Sequence, residues 1–146
     1  MRDGEKGSES WKGGEKVRKT VLLADDSNTI LMMERMLLAK EPYDIVVAKD
    51  GQEAYEKALS EQPDLILLDV IMPKMTGFEV CQKLRQLAQT KSTPILLVTT
   101  RGEAENIEKG YQVGCNDYIT KPINNVEFLA KVRDHLELDG KGELRR

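Results

Sequence analysis

Short apolar runs recur along the chain, and each one ends in a polar residue or a turn signal. Unbroken apolar runs of this length are typical of strands that are buried on both faces of a parallel sheet. They predict strands at residues 21–24, 45–48, 65–68, 95–98 and 118–120. The third run leads directly into Asp69 and then into a turn marked by Pro73 and Gly77. We therefore expect Asp69 at the carboxyl end of a buried strand.

Helical patterns alternate with these runs. They predict helices over about 28–40, around 54–59, over 76–89, over 103–113, and from 124 or 125 to beyond 136. In the first helix Ile30, Met33 and Leu37 are expected on the inner face, because they follow i, i+3, i+7 spacing. The fourth helix is expected to be marginal, since an interior glycine such as Gly110 costs about 1 kcal/mol relative to alanine. Strands that alternate with helices in this way predict an α/β fold, with a parallel sheet and helices on both faces.

The length of 146 residues allows one domain, which we place at residues 18–138. The flanking segments are rich in charge and glycine, and they cannot bury enough apolar surface to offset the entropy of ordering. Residues 1–17 are thus predicted to be a disordered tail and residues 139–146 a C-terminal tail.

Composition excludes several classes of protein. The formal net charge is −3, and no block of Lys and Arg interleaved with aromatic residues occurs, so direct nucleic-acid binding is not expected. No apolar run approaches the roughly 18 residues of a membrane span, and no secretory signal opens the chain. These features predict a cytoplasmic protein without membrane insertion. The spacing of Cys81 and Cys115 does not suit a metal site and favours reduced core thiols.

Polar residues follow four of the predicted strands, and parallel strands bring such ends to one edge of the sheet. They are Asp25 and Asp26, Asp69, Thr99 and Thr100, and Lys121. Crowded carboxylates repel one another, and a bound divalent cation relieves this repulsion. Mg²⁺ prefers carboxylate and carbonyl oxygens and typically also binds a phosphate oxygen. The pattern therefore predicts a magnesium site that accepts phosphate.

These motifs, in this order and spacing, resemble the receiver domain of two-component response regulators, above all the small single-domain regulators of chemotaxis. The similarity covers about residues 18–138. The resemblance implies a flavodoxin-like sheet of strand order 2-1-3-4-5 and a cis bond between Lys121 and Pro122. It also implies that Asp69, in the run Leu-Leu-Asp-Val-Ile-Met-Pro-Lys-Met-Thr-Gly, is the phosphoacceptor.

The same resemblance assigns roles to the other residues. Asp25, Asp26, Asp69 and the backbone carbonyl of Ile71 would hold Mg²⁺. Thr99 and Lys121 would contact the phosphoryl group, and Thr99 and Tyr118 would form the switch. The partners implied are a sensor histidine kinase and a downstream target that binds the surface of helix 4, strand 5 and helix 5. A phosphorylation-dependent dimer is one assembly that the family allows. We expect His135 on that surface as a solvated residue.

A few positions depart from the family pattern. Thr100 stands where a small residue is favoured, and Cys115 where Ala is common. Ile71 and Arg101 occupy the positions that tune autodephosphorylation. Because Ile71 has no polar group to orient an attacking water and Arg101 could shield the phosphoryl group, slow self-hydrolysis is expected.

Two alternative functions are weighed against the phosphoacceptor. The first is a Mg²⁺-dependent phosphatase resembling the haloacid dehalogenase group, which places a second Asp two residues after the nucleophile. In this chain that position is Ile71. The second is a receiver-like binding module that works without phosphorylation, which the complete acidic, hydroxyl and ammonium set disfavours. The prediction is therefore a signalling phosphoacceptor that catalyses its own phosphotransfer and dephosphorylation, not an enzyme acting on other substrates.

Overall fold

A computed structural model describes residues 18–100 and 104–137, together with a short antiparallel pair of strands at Trp11–Lys12 and Glu15–Lys16. Apart from that pair, the tails predicted for residues 1–17 and 139–146 lie outside the described residues. Arg101 also lies outside them.

The described domain is built on one five-stranded parallel sheet. Its strands are β1 (Lys19–Ala24), β2 (Tyr43–Ala48), β3 (Leu65–Asp69), β4 (Ile95–Thr100) and β5 (Asp117–Lys121). They lie in the order β2-β1-β3-β4-β5. The predicted flavodoxin-like topology is confirmed, and the Lys121–Pro122 bond is cis as the resemblance implied.

Five helices connect and cover the strands. They are α1 (Asn28–Leu37), α2 (Gly51–Glu61), α3 (Gly77–Arg85), α4 (Ala104–Val113) and α5 (Asn125–Glu137). The first and third end earlier than predicted, at Leu37 and Arg85. In both cases the backbone tightens into turns with i→i−3 hydrogen bonds, such as Ala39 to Met36 and Leu87 to Leu84. Tight last turns of this kind are common at helix ends.

The core has two layers because strand residues alternate between the two faces of the sheet. On one face Leu22, Ile66 and Leu97 pack with α2 and α3. On the opposite face the layer combines α1 and α5 with strand residues, which include Val21, Leu23, Leu65, Leu67, Leu96, Val98 and Ile119. Helices thus cover both faces, as predicted.

The inner face of α1 differs by one residue from the prediction. Leu31 and Leu38 are 5% and 1% exposed, and Glu34 between them is 2% exposed. The predicted residues Ile30, Met33 and Leu37 are only half-buried. The prediction was wrong because it followed apolar residues alone, whereas the centre of the buried stripe is a carboxylic acid.

Cys81 and Cys115 are both buried and not in a disulfide, as predicted. Among the described helices, none combines the length and apolar character that a bilayer crossing requires.

Candidate functional site

The carboxyl ends of β1 and β3 bring two carboxylates side by side. Ala24 pairs with Leu68 in the parallel register, so Asp25 follows β1 beside Asp69 at the end of β3. Because side chains alternate along a strand, Asp25, Asp69 and Lys121 belong to the face of the sheet that α1 and α5 cover. The strand ends thus direct opposite charges to one place.

Asp25, Asp26 and Asp69 form an acidic pocket in which one carboxylate oxygen of each lies within 4.8 Å of the others. Asp25 and Asp69 are 1% and 6% exposed, and Asp26 is exposed. The backbone N–H of Ser27 donates to Asp25 Oδ1 at 2.9 Å. The other oxygen, Asp25 Oδ2, is buried and has no hydrogen-bond partner of good geometry within the described part of the chain. A buried carboxylate oxygen that lacks a well-formed hydrogen bond, next to two more carboxylates, fits a hard divalent cation such as Mg²⁺.

Lys121 lies between the two buried carboxylates. Its Nζ is 3.1 Å from Asp25 Oδ2 and 3.3 Å from Asp69 Oδ1. The contact with Asp25 is an ion pair rather than a well-formed hydrogen bond. Burial lowers the pKa of Lys121, but its close contacts with the negatively charged Asp25 and Asp69 together outweigh burial and leave the pKa raised. The ammonium group is therefore held in its charged form between the two carboxylates.

Burial raises the pKa of Asp69 to about 6, and the negative charge of Asp25 adds to the rise. Lys121 opposes both effects without cancelling them. The carboxylate form of Asp69 is thus easier to protonate than that of an ordinary aspartate. A cation in the acidic pocket would favour the ionised form, which is the nucleophilic one.

A fourth carboxyl group, Glu34, stands behind this pocket on the inner face of α1. Burial raises the pKa of Glu34 to about 8, with further contributions from Asp25 and Asp69 and an opposing one from Lys121. Sequence reasoning missed Glu34 because a charged residue on a helix is ordinarily assigned to the solvent face. Its position three residues after Leu31 and four before Leu38 was the one signal that could have found it.

The loop between β3 and α3 is fixed against Asp69 by close backbone contacts. A Cβ on Gly77 would lie 2.4 Å from the carbonyl oxygen of Asp69, so only glycine allows this approach. The N–H of Gly77 donates to the carbonyl of Val70 at 2.9 Å. Thr76 caps α3 in a capping box with Glu79. These contacts determine where the backbone just after Asp69 can lie.

Thr99 lies at the end of β4 and is 3% exposed. Its Oγ1 accepts a hydrogen bond from Asn106 Nδ2 of α4 at 3.1 Å. Thr100, the next residue, is exposed and pairs in register with Lys121. The hydroxyl of Thr99, but not the side chain of Thr100, is therefore enclosed by protein.

Tyr118 of β5 is half-buried, and two neighbours contact its ring. The ring of Tyr111 in α4 meets it edge-on, with centroids 6.4 Å apart and an interplanar angle of 89°. Lys131 Nζ of α5 lies 4.4 Å from the centroid of the Tyr118 ring, which is a cation–π geometry. The ring is thus held between α4 and α5.

The model of the response regulator receiver domain family matches residues 21–133. The chain belongs to this family. The receiver is 41% identical over 117 residues to the alkaline phosphatase synthesis transcriptional regulatory protein PhoP of Bacillus subtilis, and 42% identical over 113 residues to ResD of the same organism. These matches cover 80% and 77% of the chain but only 48% and 46% of the two regulators. The chain spans about half the length of the curated relatives that it matches.

Solved receiver structures share the fold. The chemotaxis response regulator CheY4 of Vibrio cholerae is 38% identical, with a TM-score of 0.76, and the match covers 82% of this chain and 99% of that one. A response regulator of Chloroflexus aurantiacus is 32% identical, with a TM-score of 0.79 and coverage of 82% and 98%. The receiver therefore matches these two solved chains over almost their whole length, but the two longer regulators over only about half of theirs.

Some predicted site residues lie at the margin of this receiver's pocket. Ile71 is 71% exposed, and Pro122 is also exposed. His135 was predicted to be solvated, which is wrong, because its side chain is 18% exposed and its Nε2 lies 3.2 Å from Asp117 Oδ2. Lys131 and His135 lie one helical turn apart, so both contact Asp117 of β5. The spacing of residues within α5 does not predict this contact with a strand.

Proposed function

We propose that this receiver accepts a phosphoryl group on Asp69 from the phosphohistidine of a sensor histidine kinase. The observation that carries the proposal is the contact of Lys121 Nζ, 3.3 Å from Asp69 Oδ1, beside the buried Asp25. This arrangement pairs a nucleophilic carboxylate with a fixed cation, in a pocket that fits a divalent ion. Phosphoryl transfer needs mostly positioning and charge neutralisation, which these groups supply.

In the proposed step an oxygen of Asp69 attacks phosphorus, and the bond between phosphorus and the imidazole nitrogen breaks. The nitrogen keeps the electron pair, and Asp69 becomes an acyl phosphate. Asp25, Asp26, Asp69 and the carbonyl of Ile71 would hold Mg²⁺, which would neutralise charge on the phosphoryl oxygens. Lys121 and the Thr99 hydroxyl would contact the remaining oxygens.

The output would follow from movement of Thr99 toward the phosphoryl group, which frees space for the ring of Tyr118. A shift from mostly inactive to mostly active requires about 5.5 kcal/mol of differential interaction. Several charge-assisted hydrogen bonds formed only after phosphorylation can supply it. The surface of α4, β5 and α5 would then bind a downstream target protein or form a phosphorylation-dependent dimer. No direct nucleic-acid contact or membrane insertion is proposed, and we place the protein in the cytoplasm.

Phosphorylation of the wild-type protein is expected to require Mg²⁺. Incubation with acetyl phosphate and Mg²⁺ should add the mass of one phosphoryl group, and EDTA should prevent the addition because the carboxylates then repel the incoming phosphoryl group. Intact-protein mass spectrometry measures both states. Absence of the added mass with Mg²⁺ present would favour the binding module that works without phosphorylation.

Slow self-hydrolysis is expected from the exposed apolar side chain of Ile71. Replacing it by a residue that can hydrogen-bond the attacking water, as in Ile71→Asn, should speed the decay of the phosphorylated form several-fold. Decay after removal of the phosphodonor measures the rate, and Ile71→Val, which stays apolar, is the control. An unchanged rate in Ile71→Asn would contradict this role.

The same apolar side chain argues against a phosphatase, since it offers no acid or base for rapid turnover.

A further inference from the structure

The side chain of Asn106 joins the first turns of α4 to the hydroxyl of Thr99 through the 3.1 Å hydrogen bond. Asn106 is half-buried, and Thr99 is almost completely buried. Breaking this partly buried hydrogen bond without replacement would leave the buried Thr99 hydroxyl without its partner from Asn106, which is costly.

Other contacts fasten α4 to its neighbours through a few side chains. Lys109 Nζ lies 4.7 Å from the ring centroid of Phe78 in α3. A Cβ on Gly110 would lie 2.6 Å from Leu97 Cδ1, so the helix approaches β4 closely at this glycine. Tyr111 contacts Tyr118 of β5. These contacts lie on the same helix as Asn106, so α4 connects the hydroxyl of Thr99 with the ring of Tyr118.

The direction of the Thr99 side chain decides what phosphorylation must change. Thr99 lies in step with Leu97 on the face of the sheet covered by α2 and α3, whereas Asp69 lies in step with Leu67 on the opposite face. For its hydroxyl to reach a phosphoryl group on Asp69, Thr99 must turn away from Asn106.

We propose that Asn106 is a positioning residue that holds Thr99 in the unphosphorylated state and couples the turn of Thr99 to α4. The inference rests on the proposed function, because it gives Thr99 the phosphoryl group as its second partner. Phosphorylation exchanges the hydrogen bond from Asn106 for one to the phosphoryl oxygen. Asn106 therefore opposes activation, and its removal should favour the active state.

Binding of beryllofluoride with Mg²⁺ tests this inference, because beryllofluoride mimics a phosphoryl group on a carboxylate. Asn106→Ala is expected to bind it about five-fold more tightly than wild type, the equivalent of a neutral hydrogen bond of about 1 kcal/mol. Asn106→Val also lacks the N–H donor and has a helix propensity close to that of asparagine, so it should bind as tightly as Asn106→Ala and guards against an effect of helix propensity. Glu108→Ala, an exposed position on α4, should bind like wild type. Titration calorimetry measures the affinities.

A double-mutant cycle with Thr99→Ala separates positioning from a general loosening of α4. Once the Thr99 hydroxyl is gone, Asn106→Ala should no longer change the affinity for beryllofluoride. Equal or weaker binding by Asn106→Ala, or an unchanged gain in the Thr99→Ala background, would overturn the inference while leaving the proposed function intact. Failure of the wild-type protein to bind beryllofluoride would overturn both.

Discussion

Asp69→Asn is expected to abolish phosphorylation by acetyl phosphate and by any histidine kinase that phosphorylates the wild type. The amide has nearly the shape of the carboxylate but is not a nucleophile. It also removes one negative charge from the acidic pocket and weakens the site for Mg²⁺. Intact-protein mass spectrometry, or transfer of labelled phosphate from a kinase, measures the loss.

Asp134→Asn is the matched control, because Asp134 is exposed on α5. It removes the same charge without touching the pocket and should be phosphorylated like wild type. Full phosphorylation of Asp69→Asn would show that another residue accepts the phosphoryl group.

Glu34→Leu is expected to stabilise the metal-free protein at alkaline pH and to flatten the dependence of its stability on pH. Burial raises the pKa of Glu34 to about 8, whereas an unfolded glutamate titrates near about 4.3. Between these values the folded state binds more protons than the unfolded state, so the free energy of unfolding falls as pH rises. Ionisation of Glu34 should lower the free energy of unfolding of the wild type by the order of 4 kcal/mol by about pH 8.

Urea unfolding in EDTA at several pH values between about 5 and 8 measures this effect. Asp69 also has a raised pKa, of about 6. The stability of the Glu34→Leu variant should therefore still depend on pH below about 6. Glu56→Leu, at an exposed position of α2, should keep the wild-type slope of unfolding free energy against pH. If Glu34→Leu kept that slope as well, Glu34 would be ionised in the folded state.

The parallel sheet and the meeting of charged strand ends could be predicted from sequence, because both depend on local patterns. The run from Leu65 to Leu68 indicates a buried strand by itself, and Asp69 follows it. Parallel pairing then brings Asp25 and Lys121 to the same edge without knowledge of any side-chain contact. The resemblance to the receiver family supplied the strand order and the cis bond before Pro122.

Other features required the three-dimensional arrangement. Glu34 is buried because the face of α1 that packs on the sheet is shifted by one residue from the face with the most apolar side chains. Hydropathy alone does not place a carboxylic acid on a buried helix face. The contacts of Asn106 with Thr99 and of His135 with Asp117 join different elements. The geometry of these contacts depends on how the helices pack on the sheet, and helical periodicity alone does not predict that packing. His135 was predicted to be solvated, and Asn106 lies in the helix that was predicted to be marginal.

Locating the phosphoryl group on the wild-type chain tests directly whether Asp69 is the phosphoacceptor. Reaction with acetyl phosphate and Mg²⁺, followed by reduction with borohydride, converts an aspartyl phosphate to homoserine. Peptide mass spectrometry then identifies the converted position. We expect homoserine at position 69 alone, and only in samples that contained Mg²⁺. Homoserine at position 25 or 26, or phosphate retained on a hydroxyl side chain with Asp69 unchanged, would contradict it.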